Sequence, residues 1–290
     1  MQIAKIIHVY QLEYTNGKPT GFGDYLRGTL FLLQICDKYK LEFDIDVNNH
    51  PLSFFLNKEN LTNYDGIIDR QEISIFENTV YIDQGKPINI NPNVFINKIS
   101  KLTNTPTLCL FCKEYPYPNI NSKFIKFIKD KIQPNNEMQS YIDENLKHLG
   151  LVKNNYIVIH IRCGDEYLSK YKKMDRYYSN KIIKTSMRYI TNNYKKYLII
   201  SDCNELKYLF RSVANCVFSI KDITHLSIGN ITSENLKNTL IDFYLMSYSE
   251  KIFNISSLCH GSSFSEMCSV IYGIPYNKEL INNYQIQMKF

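Results

Sequence analysis

The sequence predicts an α/β protein of two halves, each a parallel sheet with helices against it. Two observations carry this: short apolar runs alternate with helical patterns, and polar turns follow those runs and open the next helix. No repeat or low-complexity linker interrupts the alternation. At 290 residues the chain has room for two domains. A boundary near residue 150 gives 1–150 and 151–276, with 277–290 as a tail, and the expected architecture is two Rossmann-like halves facing a cleft.

The first unit reads as a strand in KIIHVYQLEY (5–14), a turn in TNGKPTGFGD (15–24) and a helix in DYLRGTLFLLQICDKY (24–39). Leu26, Leu30, Leu33 and Ile35 or Cys36 recur there at spacings of three and four. LEFDIDV (41–47) is a strand. Between Asn48 and Pro118 the pattern yields only short strands, at 73–76, 80–82 and 107–111. Two helices fill 123–150, the second with Pro134 near its first position and Gly150 as its stop. From 155 the alternation sharpens. NYIVIHIRCGD is a strand and turn, 175–194 a helix, YLIISD a strand and turn, and NELKYLFRSV a helix. NCVFSI is a strand, SENLKNTLIDFYLMSYS a helix and KIFNIS a strand, and GSSFSEMCSVIYG is a helix ended by Pro275.

Composition excludes several classes. With 44% hydrophobic and 21% charged residues, the chain is neither disordered, collagen-like nor a coiled coil. No run of 18 apolar residues is present, and MQIAKIIHVYQLEY lacks an apolar core with a cleavage site. A soluble cytoplasmic protein is expected. The net charge of +6 suits a phosphate-bearing ligand. A nucleic-acid binder would cluster its basic residues with aromatics, whereas these lysines are spread among carboxylates. The eight cysteines are scattered and read as free thiols. Cys109 and Cys112 have zinc-knuckle spacing but no second pair, and strand alternation turns them to opposite faces. The sequons at Asn60, Asn230 and Asn254 are expected by chance in an Asn-rich chain.

Three polar clusters fall where an open α/β sheet binds ligands, beyond the carboxyl ends of its strands. The first is Gly21-Phe22-Gly23-Asp24, after the first strand. Its glycines are read as allowing positive φ and close ligand approach, and its helix N-terminus as offering amides to an anion. The alternative is a tight turn with Asp24 as N-cap. Arg27 lies almost one turn further on, within reach of the same cleft. The second cluster is His160-Ile161-Arg162-Cys163-Gly164-Asp165, where alternation puts His160 and Arg162 on one face. A guanidinium there suits a diphosphate; the alternative is an ion pair of Arg162 with Asp165. The third is Gly261-Ser262-Ser263-Phe264-Ser265-Glu266, a phosphate seat at a helix N-terminus. Its alternative is a capping box with Ser263 as cap and Glu266 reaching back.

Weaker features have structural readings. Ser201-Asp202 also fits an N-cap. Asp44 and Asp46 form a D-x-D, a pattern used to hold a divalent ion on a nucleotide diphosphate, but alternation with Phe43, Ile45 and Val47 fits a half-buried strand with a solvated face. The Lys-rich segment 123–131 reads as a solvated helix face, with peripheral membrane contact as the other reading.

Together these segments resemble the fucosyltransferases with an H-x-R-x-G-D type motif, the α1,2-, α1,6- and protein-O-fucosyltransferase superfamily. His160, Arg162, Gly164 and Asp165 match that motif, with Cys163 where a second Arg is common. LMSYSEKIFN followed by HGSSFSEM is similar to the family's LMS, strand and SSFS block, with extra residues before Ser262. IISDCNE resembles an S/T-D-D segment with Cys203 in place of the second Asp, and GFGDYLRG the G-x-G-N/D turn. The resemblance covers 21–34 and about 155–276; residues 40–150 match nothing.

The resemblance implies a GT-B fold, a GDP-fucose donor, a glycan acceptor held by the N-terminal half, inversion at the anomeric carbon and no metal or other cofactor. It assigns Arg162 to the β-phosphate and the departing diphosphate. Ser262, Ser263 and Ser265 would hold phosphate and ribose, and Gly21, Gly23, Arg27 and Phe264 are further candidates for binding the donor. His160 and Asp202 would shape the nucleotide pocket, and Asp24 would sit near the reacting centre. Three carboxylates are eligible as general base: Asp24, Asp165 and Glu166. Glu250 is a candidate for reading guanine. The alternatives are a transferase using another nucleotide sugar and a non-catalytic glycan-binding module.

Overall fold

The computed structural model describes residues 3–14, 20–70, 73–78, 80–81, 87–163, 176–191, 194–221, 231–258 and 260–281. The chain forms two compact units, residues 1–139 with 226–237 and residues 140–225 with 238–290.

The first unit is built on β1 (Lys5–Val9), β2 (Glu42–Asp46), β3 (Ser74–Phe76) and β6 (Thr107–Cys112), in the order β2-β1-β6-β3 with every neighbouring pair parallel. A two-residue antiparallel pair, β4 (Val80–Tyr81) with β5 (Pro87–Ile88), lies apart from it. β1 is central, and Ile6, Ile7, His8 and Val9 are all buried, as expected of a parallel strand covered on both faces. Helix α1 (Phe22–Tyr39) crosses from β1 to β2 and ends on Lys40 in the left-handed conformation. It packs so closely that a Cβ on Gly28 would lie 1.7 Å from the Cys112 carbonyl oxygen, so only glycine fits there.

Helix α2 (Pro92–Ile99) falls in a stretch where the sequence pattern shows no helix. Asn91 caps it by accepting from the Asn93 amide at 2.9 Å, and Pro92 occupies the first turn. Phe95 from this helix meets Phe31 and Phe76 edge-on, closing one core with Ile6, Ile35 and Leu108. Helix α3 (Ser122–Lys131) buries Phe124 and Ile128. Three of its lysines turn to carboxylates of the chain itself: Lys123 to Asp37, Lys126 to Asp130 and Lys131 to Asp44. Helix α4 (Asn136–Leu149) is capped by Asn135, whose side chain accepts from the Met138 amide, so Pro134 precedes the cap and does not sit at the first helical position.

The second unit is a five-stranded sheet, all parallel, in the order β11-β10-β7-β8-β9. Its strands are β7 (Tyr156–Arg162), β8 (Lys196–Ser201), β9 (Cys216–Val217), β10 (Lys251–Ser256) and β11 (Tyr276–Leu280). The helices are α5 (Arg176–Met187), α6 (Asn204–Tyr208), α7 (Ser233–Ser247, which begins in the first unit) and α8 (Ser263–Tyr272). β11 lies in the stretch expected as a tail; an edge strand with one open side does not need an apolar sequence. Ile159, Ile161, Ile199, Leu206 and Phe210 share a core on one face of this sheet. Among the described residues no helix is long and apolar enough to cross a membrane.

Candidate functional site

The carboxyl edge of the second sheet gathers three of its strands into one polar rim. β7 and β10 run in register with His160 opposite Asn254 and Arg162 opposite Ser256. β8 continues the row, with Ile161 opposite Ser201. Beyond the ladder the strand exits stay tied, because the Ser257 hydroxyl donates to the Cys163 carbonyl at 2.9 Å and its amide to the Arg162 carbonyl at 3.4 Å. Arg162 and the loop leading into α8 therefore leave the same end of adjacent strands.

Arg162 pairs with Asp202, while Asp165, the partner weighed from the sequence, lies outside the described residues. One guanidinium nitrogen meets Asp202 Oδ2, while Asp202 Oδ1 accepts from the Cys163 amide at 3.0 Å. Asp202 thus holds both the guanidinium and the backbone that carries it. Both side chains keep a little access to solvent, 12% for Arg162 and 11% for Asp202. The N-cap of α6 is Cys203, so Asp202 is not the capping residue.

His160 lies beneath this rim and is buried. Its Nδ1 is 2.9 Å from the Ser265 hydroxyl of α8 and 3.2 Å from Asn254 Nδ2, which can only donate. Nδ1 is therefore an acceptor and the ring proton resides on Nε2. Burial lowers the ring's pKa to about 4, so the histidine is neutral and serves as a post between β7 and α8. Phe264 lies tilted against it, ring centroids 6.0 Å apart.

Helix α8 opens at Ser262, its N-cap, which makes no side-chain bond to the first amides; Ser263 is the first helical residue and not the cap. Gly261 just before it has φ 79°, and a Cβ there would come within 3.2 Å of Asn254 Oδ1, so this glycine is required. Ser262, Ser263 and Ser265 are all buried against the rim. A helix of this length presents amides and a positive dipole end beside the strand exits, an arrangement suited to an anion.

The first unit treats its polar cluster differently. Gly21 is the N-cap of α1 with φ −64° and ψ 154°, an extended conformation open to any residue, and neither Gly21 nor Gly23 has positive φ. Asp24 lies in the helix's first turn and is not its cap. Arg27 is 3% exposed. Its Nε donates to the Lys113 carbonyl at 2.7 Å, one terminal nitrogen meets Asp24 at 3.0 Å, and the guanidinium covers the Tyr115 ring at 4.0 Å. Rings of His8, Tyr25, Tyr10 and His50 stack in a column with centroid spacings of 4.4, 4.4 and 4.1 Å.

Asp46 is buried, held by Arg70 and Asn48, and Asp44 accepts from Thr62 and Tyr64 and pairs with Lys131, so the D-x-D face is not solvated. Among the described residues no cluster of His, Cys, Asp and Glu could hold a metal ion. Asp165 and Glu166 lie outside the described residues, as does the sequon at Asn230. Glu250 precedes β10, at the amino edge of the sheet and opposite the polar rim, where it pairs with Lys195. Asn254, fully buried beside His160, stands out in the sequence only as a sequon, although a lone amide in the apolar run KIFNIS is a signal of this placement.

The chain has a two-unit α/β fold of the GT-B type, with two parallel sheets. Within that type it is similar to solved fucosyltransferases. Fucosyltransferase NodZ from Bradyrhizobium aligns at 13% identity over 93% of this chain and 94% of that one, with a TM-score of 0.55. NodZ alpha-1,6-fucosyltransferase soaked with GDP-fucose aligns at 14% identity over 98% and 97%, with a TM-score of 0.56. A mutant of Arabidopsis thaliana FUT1 in complex with GDP aligns at 8% identity over 99% of this chain and 72% of that one, with a TM-score of 0.56. No family model and no curated protein matches the sequence.

Proposed function

We propose that the chain is an inverting, metal-independent fucosyltransferase that moves fucose from GDP-fucose to a glycan hydroxyl. The observation that carries this reading is the rim of the second unit, where an acid-braced arginine and the start of a ten-residue helix leave neighbouring strands of one sheet. Solved structures of similar fold hold GDP or were soaked with GDP-fucose, which supports a guanine nucleotide sugar as donor.

When the sugar–phosphate bond breaks, negative charge grows on the leaving diphosphate. A guanidinium fixed by Asp202 meets that charge with little reorganisation, and the α8 amides with the Ser262 and Ser263 hydroxyls share it. Neutral His160 keeps α8 against β7 and adds no competing charge. The general base is one of Asp24, Asp165 and Glu166, and Asp24 is 32% exposed beside Arg27.

The test is turnover of GDP-fucose, with GDP-mannose and UDP-sugars as competing donors. GDP-fucose should be consumed fastest, and Arg162→Ala should lower kcat by about 10²- to 10³-fold with its far-ultraviolet spectrum unchanged. Equal use of UDP-sugars, or full activity in Arg162→Ala, would overturn the reading.

A further inference from the structure

We propose that Cys163 and Cys203 form a redox couple, closing as a disulfide across the exits of β7 and β8 one residue beyond Arg162 and Asp202. Ile161 and Ser201 are Cα partners at the end of the ladder, and the two cysteines stand two places further along the same chains. Strand neighbours lie about 4.8 Å apart, inside the Cα range of about 4.4–6.8 Å that a disulfide spans. The Asp202 carboxylate already holds the Cys163 amide at 3.0 Å, which keeps the two turns together.

Both are free thiols, and each shifts the pKa of the other. Cys163 is buried in the core beside Ile161 and Ile199, whereas Cys203 is half-buried and reachable. The neighbouring Cys163 thiol lowers Cys203 to about 7, helped by the amides of Leu206 and Glu205, and Cys203 in turn pushes Cys163 up. One thiol is thus poised to attack and the other to resolve.

The oxidant is a peroxide. The Cys203 thiolate attacks the O–O bond, forming an S–O bond and releasing hydroxide, which takes up the proton lost from Cys203 to give water. The Cys163 sulfur then attacks the sulfenic sulfur, forming the S–S bond, while the S–O oxygen leaves with the Cys163 proton as a second water. Two thiols lose two electrons and the peroxide gains them; a dithiol reverses the change by exchange. Closing an S–S bond of about 2.05 Å draws the turns inward and shifts Arg162 against Asp202. On the donor reading above, GDP affinity falls about tenfold, since small misplacements at such a site are costly.

The experiment treats the full chain with hydrogen peroxide, blocks remaining thiols, and maps peptides by mass spectrometry before and after dithiothreitol. A linked Cys163–Cys203 peptide, two hydrogens lighter and lost on reduction, is expected. It should be absent from both Cys163→Ser and Cys203→Ser, each checked for fold by circular dichroism. Cys203 trapped as sulfinic acid with Cys163 still free, or either cysteine linked elsewhere, would overturn the proposal. GDP-dependent melting shifts of both forms separate the two readings. A linked peptide without any GDP shift in the reduced protein sinks the donor assignment alone, and a GDP shift without the link sinks the redox couple alone.

Discussion

Both units place a buried histidine on a central strand and an arginine within reach of the following polar turn, and they spend them differently. In the first, His8 Nε2 accepts from the Cys112 amide at 3.1 Å, so Nδ1 carries the proton toward Thr29 at 3.0 Å. Arg27 is turned inward onto the Lys113 carbonyl, Asp24 and Tyr115. In the second, His160 holds a helix by one hydroxyl, and Arg162 stands at the strand's last position with one acid behind it. The same residue types make a clamp in one place and a charge-bearing rim in the other. What differs is where the cation sits: more than a turn into a buried helix, or at the open end of a strand.

Arg27→Ala breaks the clamp and should give the largest loss of stability. Removing the buried side chain leaves the Lys113 carbonyl without its donor and the Tyr115 ring uncovered, a cost of about 2–5 kcal/mol read by urea denaturation, while the fraction that remains folded keeps its affinity for GDP. Loss of GDP binding at full stability would erase the contrast drawn here. Gly28→Ala forces a Cβ against a backbone oxygen that has little room to move; about 1–3 kcal/mol is the expected cost, without change in donor preference.

Acid sharpens the contrast further. Burial lowers His8 and His50 in the first unit to about 3 and His160 in the second to about 4, against an ordinary value of 6.5. Below 6.5 the unfolded chain takes up protons that the folded histidines refuse. Stability is therefore full above pH 6.5 and falls as the pH drops toward 4, by about 1.4 kcal/mol per pH unit for each histidine. His8→Asn and His160→Asn should each flatten the profile between pH 6.5 and 5 by one histidine's share; an unchanged slope would mean the ring is protonated in the fold. The smallest effect is expected of Glu250→Gln. At the far edge of its sheet and paired with Lys195, it should change GDP affinity less than about twofold, and a tenfold loss would return it to the site.

Much of the fold is legible in the chain because parallel strands and their helices alternate in apolar pattern. KIFNIS becomes β10 over the same six residues, Lys251–Ser256. What escapes depends on register or on edges. The Arg162–Asp202 pair joins residues forty apart through strand alignment, which no local pattern encodes, so the nearer Asp165 is the natural expectation from sequence. Asp46 reads as solvated until Arg70, from a turn with no periodic signal, is folded over it. YNKEL of β11 is too polar to look like a strand, and α2 is announced only by Asn91-Pro92.

The most direct test of the central claim is the shift in melting temperature produced by saturating GDP in the native chain, in Arg162→Ala and in Arg27→Ala. Ligand at a hundred times its dissociation constant adds about 2.7 kcal/mol to the folded state. If Arg162 holds the diphosphate, the native chain should gain several degrees, Arg27→Ala a comparable amount from a lower starting point, and Arg162→Ala almost nothing. An undiminished rise in Arg162→Ala, or none in the native chain, would contradict it.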